Sequence, residues 1–170
     1  KKLLMIHNLN FLTKEKILEI SQKFQTPLYI YSEKKSKEAV DNFLDFPSAF
    51  WHTVRYAMKA NSNKTILNYF YKNWIKIEAS SEYEVYRAIN AWVKWEDIHI
   101  SWQELSENLE KLLDTWVYFI ATSLHQIEEF WKLNKLWKNS WELWVRINPW
   151  VWSWAFKAIS TWWLTSSFWI

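Results

Sequence analysis

Residues 75–101 read IKIEASSEYEVYRAINAWVKWEDIHIS, and the architecture of the chain follows from this stretch. Its first five residues, IKIEA, have the strand-like alternation of a half-buried sheet. Ser81 then stands three residues ahead of Glu84. That is the spacing of a capping box, in which the two side chains satisfy orphan amides of a helical first turn. A helical pattern follows, and DIHIS at 97–101 opens the next strand-like run. The same order recurs on both sides, with runs at HTVRYAM (52–58), VYFIAT (117–122) and ELWVRIN (142–148). Ser101 with Glu104 and Ser123 with Gln126 repeat the capping spacing just after a strand. Strand starts recur about every twenty to twenty-five residues, the length of a compact βα unit. Alternating strands and helices predict an α/β protein with a parallel sheet. Spacing leaves two arrangements open, a closed barrel and an open doubly wound sheet.

The chain has 170 residues, 16 tryptophans and no glycine, where average usage would give roughly a dozen glycines. Trp74, Trp92 and Trp116 each follow a helical pattern and precede a strand or loop. Those are C′ positions, where a helix ends through a left-handed residue that is normally glycine because it has no Cβ to clash. Trp102 follows IHIS, and Trp150, Trp152 and Trp154 punctuate the turn-like NPWVWSW. We read the tryptophans as standing where glycine chemistry is wanted, and not as core residues. Each left-handed tryptophan costs about 1–2 kcal/mol of backbone strain, so such a chain is expected to fold poorly. The competing reading is an aromatic-rich module that stacks on carbohydrate or single-stranded nucleic acid.

The formal charge of +3 arises from 21 basic and 18 acidic residues spread along the chain, which argues against a basic nucleic-acid footprint. The absence of cysteine excludes disulfides, thiolate metal sites and a cysteine nucleophile. His7, His52, His99 and His125 never take the close spacing of a helical metal pair, so they read as surface or structural residues and no metal is expected. No apolar run approaches the roughly 20 residues of a membrane span, and KKLLMIHNLN lacks the apolar segment of a leader. A soluble cytoplasmic protein with neither nucleic-acid nor membrane partners is the expectation.

Ahead of the repeat, Lys14 to Phe24 form a helical pattern with Thr13 placed to cap it. PLYIYS at 27–32 is strand-like, and Ser32 starts a charged helical stretch running towards Pro47. Residues 1–47 thus form an N-terminal segment of helix, strand and helix, and residues 48–170 form the main domain.

Lys59 lies in YAMKANSN (56–63), at the end of the first repeat strand. In α/β barrels that end carries the active site, because the βα loops converge there. A lysine at such a rim can form a Schiff base with an aldehyde cofactor, with burial lowering its pKa; a solvated surface lysine is the alternative reading. YAMKANSN resembles the lysine motif of the pyridoxal-phosphate decarboxylases of the alanine-racemase-like (fold type III) class, most closely the diaminopimelate decarboxylases. TPLYIYSE (26–33), IEASSEYE (77–84), HISWQE (99–104), VRINPW (145–150) and ISTWW with SSFWI at the end extend the resemblance over most of the chain. Several of these match only if tryptophan stands for glycine.

The resemblance implies a (β/α)8 TIM barrel, of which this chain holds about five βα units in a truncated N-terminal half. It also implies that the preceding segment joins a second β domain. The cofactor would be pyridoxal 5′-phosphate, bonded by Lys59, with Ala57, Glu78 and Arg146 close to it. The implied activity of the parent protein is decarboxylation of an amino acid, meso-diaminopimelate to L-lysine in lysine biosynthesis, by a homodimer with shared active sites. Ornithine, arginine and carboxynorspermidine decarboxylases, and a non-catalytic barrel that keeps the cofactor, are the alternatives. The family's cofactor-stacking histidine, phosphate loop, pyridine partner and dimer-contributed residues lie beyond Ile170, so this chain alone is expected to be inactive. Ala155 and Phe156 replace a histidine found before the IST motif in many relatives, which leaves the substrate open.

Overall fold

The computed structural model describes residues 11–137 and 141–147, and the chain divides after Phe46 into two units. The first contains α1 (Lys14–Phe24) and α2 (Glu33–Leu44). Both start where their caps predict. The Thr13 hydroxyl accepts the Lys16 amide and the Ser32 hydroxyl accepts the Lys35 amide, each at 3.3 Å. PLYIYS, expected as a strand, forms no ladder. Tyr29 and Tyr31 are 90% and 60% exposed, and among the described residues no strand lies alongside. Alternation makes a strand only where a neighbour takes up the backbone amides and carbonyls.

The second unit carries the repeat. Its strands are β1 (Arg55–Ala57), β2 (Lys76–Ala79), β3 (Ile98–Ser101), β4 (Tyr118–Ala121) and β5 (Leu143–Val145). Between them run α3 (Lys64–Lys72), α4 (Glu82–Asn90), α5 (Leu109–Leu113) and α6 (Leu124–Trp137). All pairings are parallel, and spatial order follows chain order from β1 to β5. A doubly wound sheet reverses the direction of strand addition at a switch point. Here every crossover steps the same way, so the strands form part of a (β/α)8 barrel wall.

Alternation then sorts the side chains. Ile77, Ala79, Ile98, Ile100, Phe119 and Ala121 are buried in the core, together with Leu67 of α3, Val85 and Ala88 of α4, and Phe130 of α6. The intervening Lys76, Glu78, His99, Ser101, Tyr118 and Ile120 are partly exposed on the other face, the one that lines a barrel's interior.

Helices α3 and α4 end through left-handed tryptophans, with φ of 67° at Trp74 and 66° at Trp92. The Trp74 and Ile75 amides donate to the Tyr71 and Phe70 carbonyls, and those of Trp92 and Val93 to Ile89 and Ala88. This is the double hydrogen bond of a Schellman motif. Trp116, after α5, has φ of 60°. Trp102 departs from the expectation. It has no positive φ, and its ring packs against the core, because it continues directly from β3 and ends no helix. Trp141, 8% exposed, also joins the core. Trp150, Trp152 and Trp154 lie outside the described residues.

The capping spacings resolve differently. The Ser81 and Ser123 hydroxyls accept the Glu84 and Gln126 amides at 3.2 Å. The Glu84 and Gln126 side chains reach back to the amides of Ser80 and Thr122, one residue before each cap, at 2.7 Å. Ser101 caps nothing. The next helix begins only at Leu109, and the Ser101 hydroxyl is engaged elsewhere.

Candidate active site

The motif around Lys59 is fixed residue by residue. Tyr56 is the middle residue of β1, and its ring packs 4.5 Å from that of Phe70 on α3. Its hydroxyl donates to the Asn61 carbonyl at 3.2 Å. Met58 opens a single 3-10 turn, Met58–Ala60, and is wholly buried in the core, which leaves Lys59 exposed on the turn. The Asn61 side chain accepts the Asn63 amide, and the Asn63 side chain accepts that of Thr65, both at 2.9 Å. Asn63 is thereby the N-cap of α3. Arg87 of α4 donates to the Ser62 hydroxyl at 2.7 Å. A turn that leaves β1 and is followed at once by two asparagine side-chain hydrogen bonds, with ties to α3 and α4, gives a lysine little backbone freedom.

Beside it, Ala57 ends β1 and pairs in register with Glu78 of β2, which pairs in turn with His99 of β3. Glu78 accepts a hydrogen bond from the Ser101 hydroxyl at 2.7 Å. Burial pushes the Glu78 carboxyl above the usual carboxylate range, while the Ser101 hydroxyl and the positive charges of Arg55, Arg146 and Lys59 favour its ionised form. Arg146 directly follows β5, where its amide donates to the Ala121 carbonyl at 2.9 Å. The four residues singled out in the sequence, Ala57, Lys59, Glu78 and Arg146, therefore come from the C-terminal halves or ends of β1, β2 and β5. Lys59 and Arg146 both lie within electrostatic reach of Glu78.

Towards the other end of the strands the same face is structural. Lys76 pairs with Asp97 at 2.6 Å, the Tyr71 hydroxyl donates to the other Asp97 oxygen at 2.8 Å, and Arg55 donates to the Asp97 carbonyl at 3.2 Å. Burial works to raise the Asp97 carboxyl, but the hydrogen bonds from Lys76 and Tyr71 outweigh it and hold it low. His99, level with Glu78, packs its ring at a tilt against those of Tyr118 and Trp144, at 5.0 and 6.1 Å. Burial, reinforced by the charges of Arg55 and Lys76, lowers its imidazole to about 4, so it is neutral at pH 7.

Sequence reasoning missed Ser101, Arg55 and the two asparagines. Asn-Ser-Asn between a strand and a helix was the available signal for the last pair. A separate cavity of about 460 Å³ is lined by Leu105, Ser106, Glu110, Asp114, Glu129 and neighbours, and none of the Lys59 cluster enters it.

The donor set fits a cofactor that carries an aldehyde: a primary amine on a short turn, within electrostatic reach of a half-buried carboxyl that Arg146 also reaches. Residues 34–163 match the family described as pyridoxal-dependent decarboxylase, pyridoxal binding domain. The chain is 32% identical over 145 residues to diaminopimelate decarboxylase of Buchnera aphidicola subsp. Schizaphis graminum, covering 84% of this chain and 32% of that protein. It is 37% identical over 79 residues to diaminopimelate decarboxylase of Helicobacter pylori, covering 45% of this chain and 19% of that one. The crystal structure of the Helicobacter pylori diaminopimelate decarboxylase complexed with L-lysine superimposes with a TM-score of 0.82 at 25% identity, over 89% of this chain and 39% of that one. The chain thus spans a third or less of the length of these curated relatives.

Proposed function

This chain belongs to the pyridoxal-dependent decarboxylase family, whose pyridoxal-binding domain it carries, and from that premise we propose that the whole protein decarboxylates meso-diaminopimelate to L-lysine. The cofactor is pyridoxal 5′-phosphate. When bound, it supplies a protonated pyridine ring that takes up the electron pair released as carbon dioxide leaves. The observation that carries the reading is the convergence of Lys59, Glu78 and Arg146 at one end of the barrel wall.

Each residue has a role in that reading. Lys59 would hold the cofactor through Nζ, and the same amine, once freed by the incoming amino acid, would return a proton to the carbon that lost its carboxyl group. Arg146 and Glu78 would present opposite charges to the cofactor. Ala57, paired with Glu78, keeps the strand end free of bulk. Met58, buried beneath the turn, sets the lysine's position. A second copy that shares the active sites, and a cytoplasmic location, belong to the same proposal. No described helix is long and apolar enough to cross a membrane.

The test is carbon dioxide release by the purified whole protein, supplied with pyridoxal phosphate and one amino acid at a time. Release from meso-diaminopimelate is the expected result. Release only from ornithine, arginine or carboxynorspermidine would move the substrate within the family. Bound cofactor with no release from any of them would contradict the enzymatic reading.

A further inference from the structure

Glu78 lies within electrostatic reach of Lys59 and Arg146, and its environment acts on it in opposite directions. Burial opposes its charge, while Arg55 on β1, Lys59 on the turn after β1 and Arg146 after β5 favour it. His99, its in-register neighbour on β3, is neutral and contributes no charge at pH 7. Ser101 lies two residues beyond His99 on the same strand, so its side chain emerges on the same face. Its hydroxyl donates to Glu78 Oε1 at 2.7 Å, across 23 residues of sequence. A hydroxyl can rotate to donate or to accept, but towards a carboxylate it can only donate. The contact therefore favours the ionised carboxylate and fixes one of its two oxygens.

We propose that Ser101 is a positioning residue of the active site, whose hydroxyl clamps Oε1 of Glu78 and fixes how that carboxyl group is turned on the face of the sheet that Lys59 and Arg146 reach. The proposal deepens the functional reading above and rests on it for its catalytic meaning. The sequence hides the role, because Ser101 and Glu104 have the spacing of a helix cap. The chain instead runs on without helix as far as Leu109, and the serine faces the site. β3 thereby reaches the site through a side chain too small to fill it.

Two isosteric variants of the whole protein separate the hydroxyl from packing. Ser101→Thr keeps the donor, and Ser101→Val replaces it with a methyl group of nearly the same shape. With glutamate labelled with ¹³C at the carboxyl carbon, the Glu78 resonance is identified by its loss in Glu78→Gln and is titrated in the cofactor-free protein. The Val variant is expected to shift the Glu78 titration upward, while the Thr variant titrates with the unmodified protein. An unchanged midpoint in the Val variant, or an equal shift in both, would overturn the proposal. Borohydride trapping of pyridoxal phosphate on the unmodified protein is run alongside. Failure to label Lys59 contradicts the functional reading and leaves the Ser101–Glu78 coupling to be decided by the titration alone.

Discussion

His99 pairs with Glu78 on one side and Tyr118 on the other, and its neutral ring is held between aromatic surfaces and the charges of Arg55 and Lys76. Its folded value of about 4 lies below the ordinary 6.5. The stability it contributes is therefore present above pH 6.5 and is lost as pH falls towards 4. Because the ring is only partly buried, we expect a loss of about 1–2 kcal/mol across that window, less than full linkage would give. His99→Gln should flatten that part of the curve, as read by thermal melts against pH. Glu78 has the opposite sign. Its raised value stabilises the fold below the usual carboxylate range, and that contribution disappears as pH rises through the folded value. Glu78→Gln should therefore raise the melting temperature at pH 7 and have little effect at pH 4. A lower melting temperature at pH 7 would mean that the surrounding cations outweigh burial. At this scale the sequence disclosed Lys59, because a lysine at a strand end in a distinctive motif stands apart from its neighbours. Ser101 was not legible, since serine three residues before glutamate is also how a helix begins.

Among the elements, the helix ends carry the largest departure from ordinary sequence. Trp74 and Trp92 occupy left-handed C′ positions with their indoles 85% and 77% exposed, so they bear the strain of a Cβ without the return of burial. Trp74→Gly and Trp92→Gly should each stabilise the fold by about 1 kcal/mol, the strain relieved less the added freedom of the unfolded chain. Chemical denaturation measures this directly, and a destabilised Trp74→Gly would contradict it. Trp102→Gly should destabilise, because that ring packs on the core and its backbone has no positive φ to relieve. The C′ tryptophans were legible because a helix end imposes its backbone geometry locally. PLYIYS and the Ser101 spacing were misread because a strand needs a partner and a cap needs a helix, and neither is present in the local sequence.

Over the whole barrel wall, the buried face of the sheet meets its helices in one core. Phe130 of α6 is 1% exposed and lies parallel to Phe119 of β4 at 6.3 Å. Phe130→Ala should cost about 3–5 kcal/mol in denaturant unfolding, a large part of what holds a domain together. Strand spacing could not choose between barrel and doubly wound sheet, because both use the same βα unit. The order of strands chooses, and that order is set by contacts between segments distant in sequence. The face that alternation leaves free of helices then collects Glu78, with Lys59 and Arg146 within its electrostatic reach, and the proposed chemistry depends on this convergence. It is tested most directly by incubating the whole protein with pyridoxal phosphate, reducing with borohydride and locating the added mass by peptide mass spectrometry. The cofactor is expected on the peptide that contains Lys59, with none retained in Lys59→Ala. Label on a different lysine, or an unchanged adduct in Lys59→Ala, would contradict it.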